Sequence, residues 1–210
     1  GYSPMQAGLF LIPGLACTIV AGLYAAKLVS RFHPAVIVSS GLALGALGYL
    51  FVMFFGSRND LLLMTSFMLL GLSVGAAQTI SNDLILSSVP ANKAGAASAI
   101  SETAYEFGTV LGTVVIGGML TAIYRAQVTV PAGLNADAAH AAGETLGGAT
   151  AVAGQLPSDL SAELLHSAHA AFDSGVLVTA TFSAVLLAVL SVFTYRMLRS
   201  APAELEKAEH

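Results

Sequence analysis

Two glutamates four residues apart, Glu102 and Glu106, stand inside a long apolar stretch. On a helix turning about 100° per residue, that spacing puts both carboxyls on one face, one turn apart. Ser98, Tyr105, Thr109 and Thr113 share the face, and the small residues Gly108 and Gly112 run along its edge as a helix-packing signal. Counted from Gly95, Glu106 lies about 16 Å along such a helix, near the middle of a hydrocarbon core about 30 Å thick. A charge at that depth costs at least about 2.5–3.5 kcal/mol on insertion scales. No Lys or Arg stands at the same depth, since Lys27, Arg31, Arg125 and Arg196 all fall near the ends of apolar stretches. The pair therefore either carries protons or faces a wet cavity that accepts cations. If a proton and a cation exclude each other there, the pair couples their movements. Tyr105 offers a cation an aromatic face. The structural alternative is a pair of protonated glutamates hydrogen-bonded across helices.

A second set of polar residues lies upstream. Gly71, Gly75, Gln78 and Asn82 fall on one helix face, with Thr79 and Asp83 adjacent. Gln78, Asn82, Tyr105 and Thr109 are expected to line a cavity. Asp83 either joins them or anchors a helix end. His166 and His169 share a helix face and could meet His140 or Glu163 around zinc, but no fourth ligand is fixed by spacing, and surface histidines with no metal are the expectation. Cys17 is the one cysteine, so no disulfide forms within the chain. There is no phosphate-binding glycine loop followed by Lys and Ser or Thr, and no Ser-His-Asp arrangement with a local signature. Neither an enzyme nor a cofactor is indicated.

The elements that must position these residues follow from composition. Of 210 residues, 56% are hydrophobic and 10% charged, against about 25% charged in a soluble domain. The net charge is -4 with no basic tract, which argues against nucleic acid as a partner. Five stretches reach the roughly 20 apolar residues that a spanning helix needs: about 5–29, 35–56, 61–88, 95–124 and 172–197. The fold class expected is an all-α, multi-pass transmembrane helical bundle. Close turns at Arg31 to Pro34, Gly56 to Asp60 and Pro90 to Lys93 make the first four helices, within 1–125, antiparallel neighbours. Pro34 suits the first turn of its helix, and Pro13–Gly14 marks a kink in the first. Glycine pairs at 41 and 45 and at 71 and 75 let helix backbones approach closely. The second and fifth helices, nearly free of polar groups at their centres, are expected to face lipid.

Residues 126–170 are rich in Ala and Gly. Asn135 can cap a helix over about 136–154, and Pro157–Ser158 can open another over about 158–170. Together they read as an amphipathic helical hairpin on the membrane surface, followed by the final transmembrane helix within 171–198 and a tail at 199–210. Lys27, Arg31, Lys93, Arg196, Arg199 and Lys207 fall on one side, and Arg58 and Arg125 on the other. The first side is expected to be cytoplasmic. That puts the tail inside, and Gly1 and the loop outside. Five helices with an external start and no Met suggest that N-terminal helices of the same protein are missing.

The stretch AGAASAISETAYEFGTVLGTVVIGGMLTAIYR (94–125) resembles the penultimate helix of the fourteen-helix drug:proton antiporters, the QacA/EmrB-type branch of the major facilitator superfamily. GYSPMQAGLFLIPG at the start, ISNDLILSSVP (80–90) and AFDSGVLVTATFSAVL (171–186) are similar to that family too, as is a long external loop before the last helix. The basic loop AKLVSRFHP departs from it, keeping Lys27 and Arg31 without a clear Asp and Gly. The resemblance implies helices ten to fourteen of fourteen, a partial C-terminal half of a major facilitator fold. It also implies efflux of lipophilic, often cationic compounds, such as quaternary ammonium compounds, in exchange for protons across the cell membrane. Two carboxylates four apart in this helix take part in that transport, and they match Glu102 and Glu106. The expected partners are membrane lipid, protons and a small lipophilic or cationic substrate. The rival functions are a major facilitator transporter of a small polar metabolite, and a non-transporting membrane subunit or sensor whose external hairpin binds a partner.

Overall fold

A computed structural model describes residues 3–55 and 59–200. The expected turn at Gly56 to Asp60 with Arg58, the external Gly1, and nearly all of the 199–210 tail with Lys207 lie outside the described residues, wholly or in part.

The chain forms α1 (Pro4–Leu28), α2 (Pro34–Phe55), α3 (Asp60–Ser87), α4 (Ala94–Gln127), α5 (Ala136–Glu144), α6 (Leu146–Ala153) and α7 (Ser158–Ser200). Among the described residues, α1, α2, α3, α4 and α7 are long and apolar enough to cross a membrane. The ends are set by side chains that satisfy the free N–H groups of a first turn. Ser3 and Gln6 form a reciprocal capping box on α1. Asn59 accepts from the Leu61 N–H at 2.8 Å to start α3, and Asn135 from the Ala138 N–H at 2.8 Å to start α5. α2 opens at Pro34, as the sequence indicates. α1 runs on through Pro13.

The chain divides into two compact units, residues 1–105 with 180–210, and residues 106–179. In the first, α3 packs against both α1 and α2. The contacts are close because glycines face backbone. A Cβ at Gly71 would collide with the Gly14 carbonyl oxygen, and one at Gly75 with that of Thr18. On the other side of α3, Gly41 and Gly45 approach Ser73. Both glycine pairs anticipated from their spacing are thus packed. Ala25, Ile37, Val38 and Ile80 form a buried cluster beside them. The Ser191 hydroxyl of α7 donates to the Ser39 carbonyl of α2 at 2.7 Å. α2 buries Gly41, Gly45, Ala46 and Gly48 and exposes Val36, Leu47 and Phe54.

In the second unit, Tyr124, Ala142, Ala149, Leu164 and Ala168 make a core with almost no exposure. The Tyr124 hydroxyl donates to the Ala142 carbonyl at 2.8 Å, and the Thr129 N–H to the Ser167 hydroxyl at 2.7 Å. Arg125 pairs with Glu144 near the surface. Two expectations for 126–170 are corrected here. The helix over 136–154 is broken at Thr145, which is extended (φ -150, ψ 154) and caps α6 through the Gly148 N–H. The helix over 158–170 does not end before the final one; it is the first third of α7, which has 43 residues, about twice what a span requires. Instead of an isolated hairpin, α5 and α6 close a small core with Tyr124 of α4 and with Leu164 and Ala168 of α7.

Candidate translocation site

The glycine contact between α1 and α3 sets up a groove beside it. On α3, Gly71 and Gly75 touch α1, and Gln78, Thr79 and Asn82 follow within the next two turns. The backbones are held together at Gly75, and the polar residues beyond it line one side of a space of about 560 Å³. Thr18 and Gly22 of α1 line the other side, with apolar neighbours such as Ile19 and Leu23. The polar lining is neutral: two hydroxyls and two carboxamides, able to donate and accept hydrogen bonds without a fixed charge. Thr18 also turns its hydroxyl back to the Gly14 carbonyl at 3.1 Å.

Gln78 and Asn82 are therefore brought together, as their spacing suggests. Asp83 is exposed outside this lining, one turn before the end of α3. Thr18 and Gly22 are lining residues that the sequence marks only faintly. Their signal is a small residue every four positions along α1, at Gly14, Thr18 and Gly22, hidden by the alternation of Gly with Thr.

Glu102, Tyr105, Glu106 and Thr109 all lie on α4. Glu102, Glu106 and Thr109 are exposed and Tyr105 is half-buried. The spacing of the glutamates is one helical turn, as expected for an uninterrupted helix. Ser101, on the adjoining face, is buried. Gly108 and Gly112 differ from the other glycine pairs: among the described residues, a Cβ at either would meet nothing within 4 Å. α4 remains a largely uncovered apolar helix, with Ile100, Phe107, Val110 and Val114 exposed, interrupted on one face by two carboxyls.

The histidines do not gather. Among the described residues no three His, Cys, Asp or Glu side chains are placed to hold a metal ion. His140 lies 3.9 Å from Glu144, the same carboxylate that meets Arg125.

These features define a multi-pass helical membrane protein with a polar groove between two helices and a carboxylate pair on a third. The chain belongs to the major facilitator superfamily, whose family model matches residues 1–136. It is 48% identical over 190 residues to the multidrug efflux pump LfrA of Mycolicibacterium smegmatis, covering 89% of this chain and 37% of that protein. It is 33% identical over 212 residues to the methyl viologen resistance protein SmvA of Salmonella typhimurium, covering 96% and 41%. Over 206 residues it is 29% identical to the tetracenomycin C resistance and export protein of Streptomyces glaucescens, covering 92% and 38%. The chain thus spans about two fifths of the length of these relatives.

Proposed function

We propose that this chain is part of a proton-coupled exporter of lipophilic, cationic drugs, in which Glu102 and Glu106 carry protons and substrate charge in alternation. The observation that carries the reading is the carboxylate pair, one turn apart on an apolar helix of membrane-spanning length. Intramembrane carboxylates are costly and mark ion or substrate paths. The relatives named for multidrug efflux, for methyl viologen resistance and for tetracenomycin C resistance and export support the substrate class. Methyl viologen is itself a dication, and a carboxylate without a basic partner suits a cation.

In this reading Gln78 and Asn82, with Thr18 and Thr79, hydrogen-bond the polar parts of a substrate. Tyr105 and Thr109 line its path, Asp83 stands near its end, and Gly108 and Gly112 pack against helices supplied by the rest of the transporter. Alternating access comes from rocking one bundle against another. The excess of Lys and Arg at the ends formed by Lys27, Arg31, Lys93, Arg196 and Arg199 supports a cytoplasmic side for those ends and an external one for 126–170.

The test follows ethidium movement driven by a pH gradient in inside-out vesicles carrying the whole transporter. Glu106→Gln and Glu102→Gln are compared with wild type at matched expression. Loss of gradient-driven movement in either variant is expected. Wild-type movement matched by both variants would make the glutamates structural, and no wild-type movement would favour a metabolite transporter.

A further inference from the structure

The last helix carries a site apart from the groove. Between Asp173 and Arg196, residues 174–195 hold no charge. Those 22 positions span about 33 Å at 1.5 Å per residue, close to the thickness of a hydrocarbon core. Arg196 therefore stands at the level of the lipid headgroups. Just inside it, Ala188, Val192 and Arg196 form one ridge at intervals of four, and Val189 and Phe193 form a second beside it. These five residues line a shallow trough of about 500 Å³, apolar along its length and ending at the Arg196 guanidinium. Val189, Val192 and Phe193 are 60%, 56% and 58% exposed.

The two arginines at this end are in different situations. Arg199 donates to the Tyr195 hydroxyl, and its guanidinium lies 5.5 Å from the Tyr195 ring centre. Arg196 meets no carboxylate among the described residues. A lone guanidinium at the end of an apolar trough, at headgroup depth, is the complement of an amphiphile with an anion at one end and hydrocarbon along the rest.

We propose that this trough binds an anionic phospholipid, its phosphate on the Arg196 guanidinium and the upper part of one acyl chain along Val189, Val192 and Phe193. Charge favours that occupant. A guanidinium presents a fork of donors matched to phosphate oxygens, and a zwitterionic lipid brings a cation of its own beside its phosphate. The site does not depend on what the transporter exports.

The experiment uses the whole transporter, purified in detergent. It is titrated with phosphatidylglycerol or phosphatidylcholine, and bound lipid is counted by native mass spectrometry. Wild type should hold phosphatidylglycerol more tightly. Arg196→Gln should weaken that binding about fivefold, the worth of one basic side chain near an anionic surface, and Arg196→Lys should retain most of it. Phe193→Ala, which keeps the charge, should weaken both lipids, and serves if Arg196→Gln does not fold. Equal retention of the two lipids by wild type would overturn the proposal. So would phosphatidylglycerol binding unchanged by Arg196→Gln or Phe193→Ala, since another occupant, such as the acidic tail or a second chain, would then cover the trough.

Discussion

Replacing Gly75 with Ala tests whether backbone contact between α1 and α3 holds the groove in shape. The new methyl would meet the Thr18 carbonyl oxygen and would stand 3.0 Å from the Ala21 Cβ. The main obstacle is backbone within a helix, so no side-chain rotation relieves it, and α1 must move away. Overpacking of this kind costs about 1–3 kcal/mol. Here the upper part of that range applies, offset by about 1 kcal/mol from the better helix propensity of Ala. The net loss is about 1–2 kcal/mol, which at about 2–4 °C per kcal/mol for a unit of this size lowers the midpoint by about 2–8 °C. The assay is thermal denaturation of the purified whole protein, followed by size-exclusion chromatography. Gly108→Ala is the comparison, because no described residue lies within 4 Å of the added methyl. It should leave stability unchanged or raise it by up to about 1 kcal/mol, unless a helix from outside this chain covers that edge, when the sign reverses. A Gly75→Ala protein as stable as wild type would refute the reasoning.

Other outcomes follow from the second unit and from the groove. Tyr124→Phe removes the hydroxyl that donates to the buried Ala142 carbonyl and should cost about 1–3 kcal/mol, seen as faster hydrogen exchange across 136–153. Glu144→Gln breaks an ion pair whose side chains are 52% and 36% exposed, so solvent screening keeps the loss below about 1 kcal/mol. A larger effect than that of Tyr124→Phe would contradict this ranking. Asn82→Leu removes a carboxamide from the groove and should raise the KM for an exported substrate severalfold at unchanged thermal stability. A lowered midpoint with KM unchanged would instead make Asn82 a packing residue.

The spanning helices are legible in the sequence because lipid leaves few alternatives for twenty apolar residues. The glycine pairs at 41 and 45 and at 71 and 75 are legible for a related reason, since close approach is the main use of that spacing in lipid. The pair at 108 and 112 has the same spacing and no neighbour within 4 Å among the described residues, so spacing alone does not say where a partner lies. The break at Thr145 escaped because it rests on one hydroxyl capping the Gly148 N–H, a local event within an even Ala and Gly composition. The fusion of 158–170 with the last helix escaped because Asp173 and the nearby histidines look like a boundary by hydropathy, whereas the backbone continues across them. In the site, Gln78 and Asn82 stood out as polar residues in an apolar run. Thr18 did not, because a threonine that turns its hydroxyl to its own helix is unexceptional there.

The division of labour along α3 bears on how such a protein changes over generations. The positions set against α1 include Phe67, Gly71, Gly75 and Thr79, and those that line the groove are Gly75, Gln78, Thr79 and Asn82. Gly75 and Thr79 belong to both sets, while Gln78 and Asn82 are lining residues one and two turns beyond Gly75. Variation in what the groove accepts can therefore accumulate at Gln78 and Asn82 while the neighbouring glycines stay fixed, so that a broadened repertoire need not be won by loosening the scaffold.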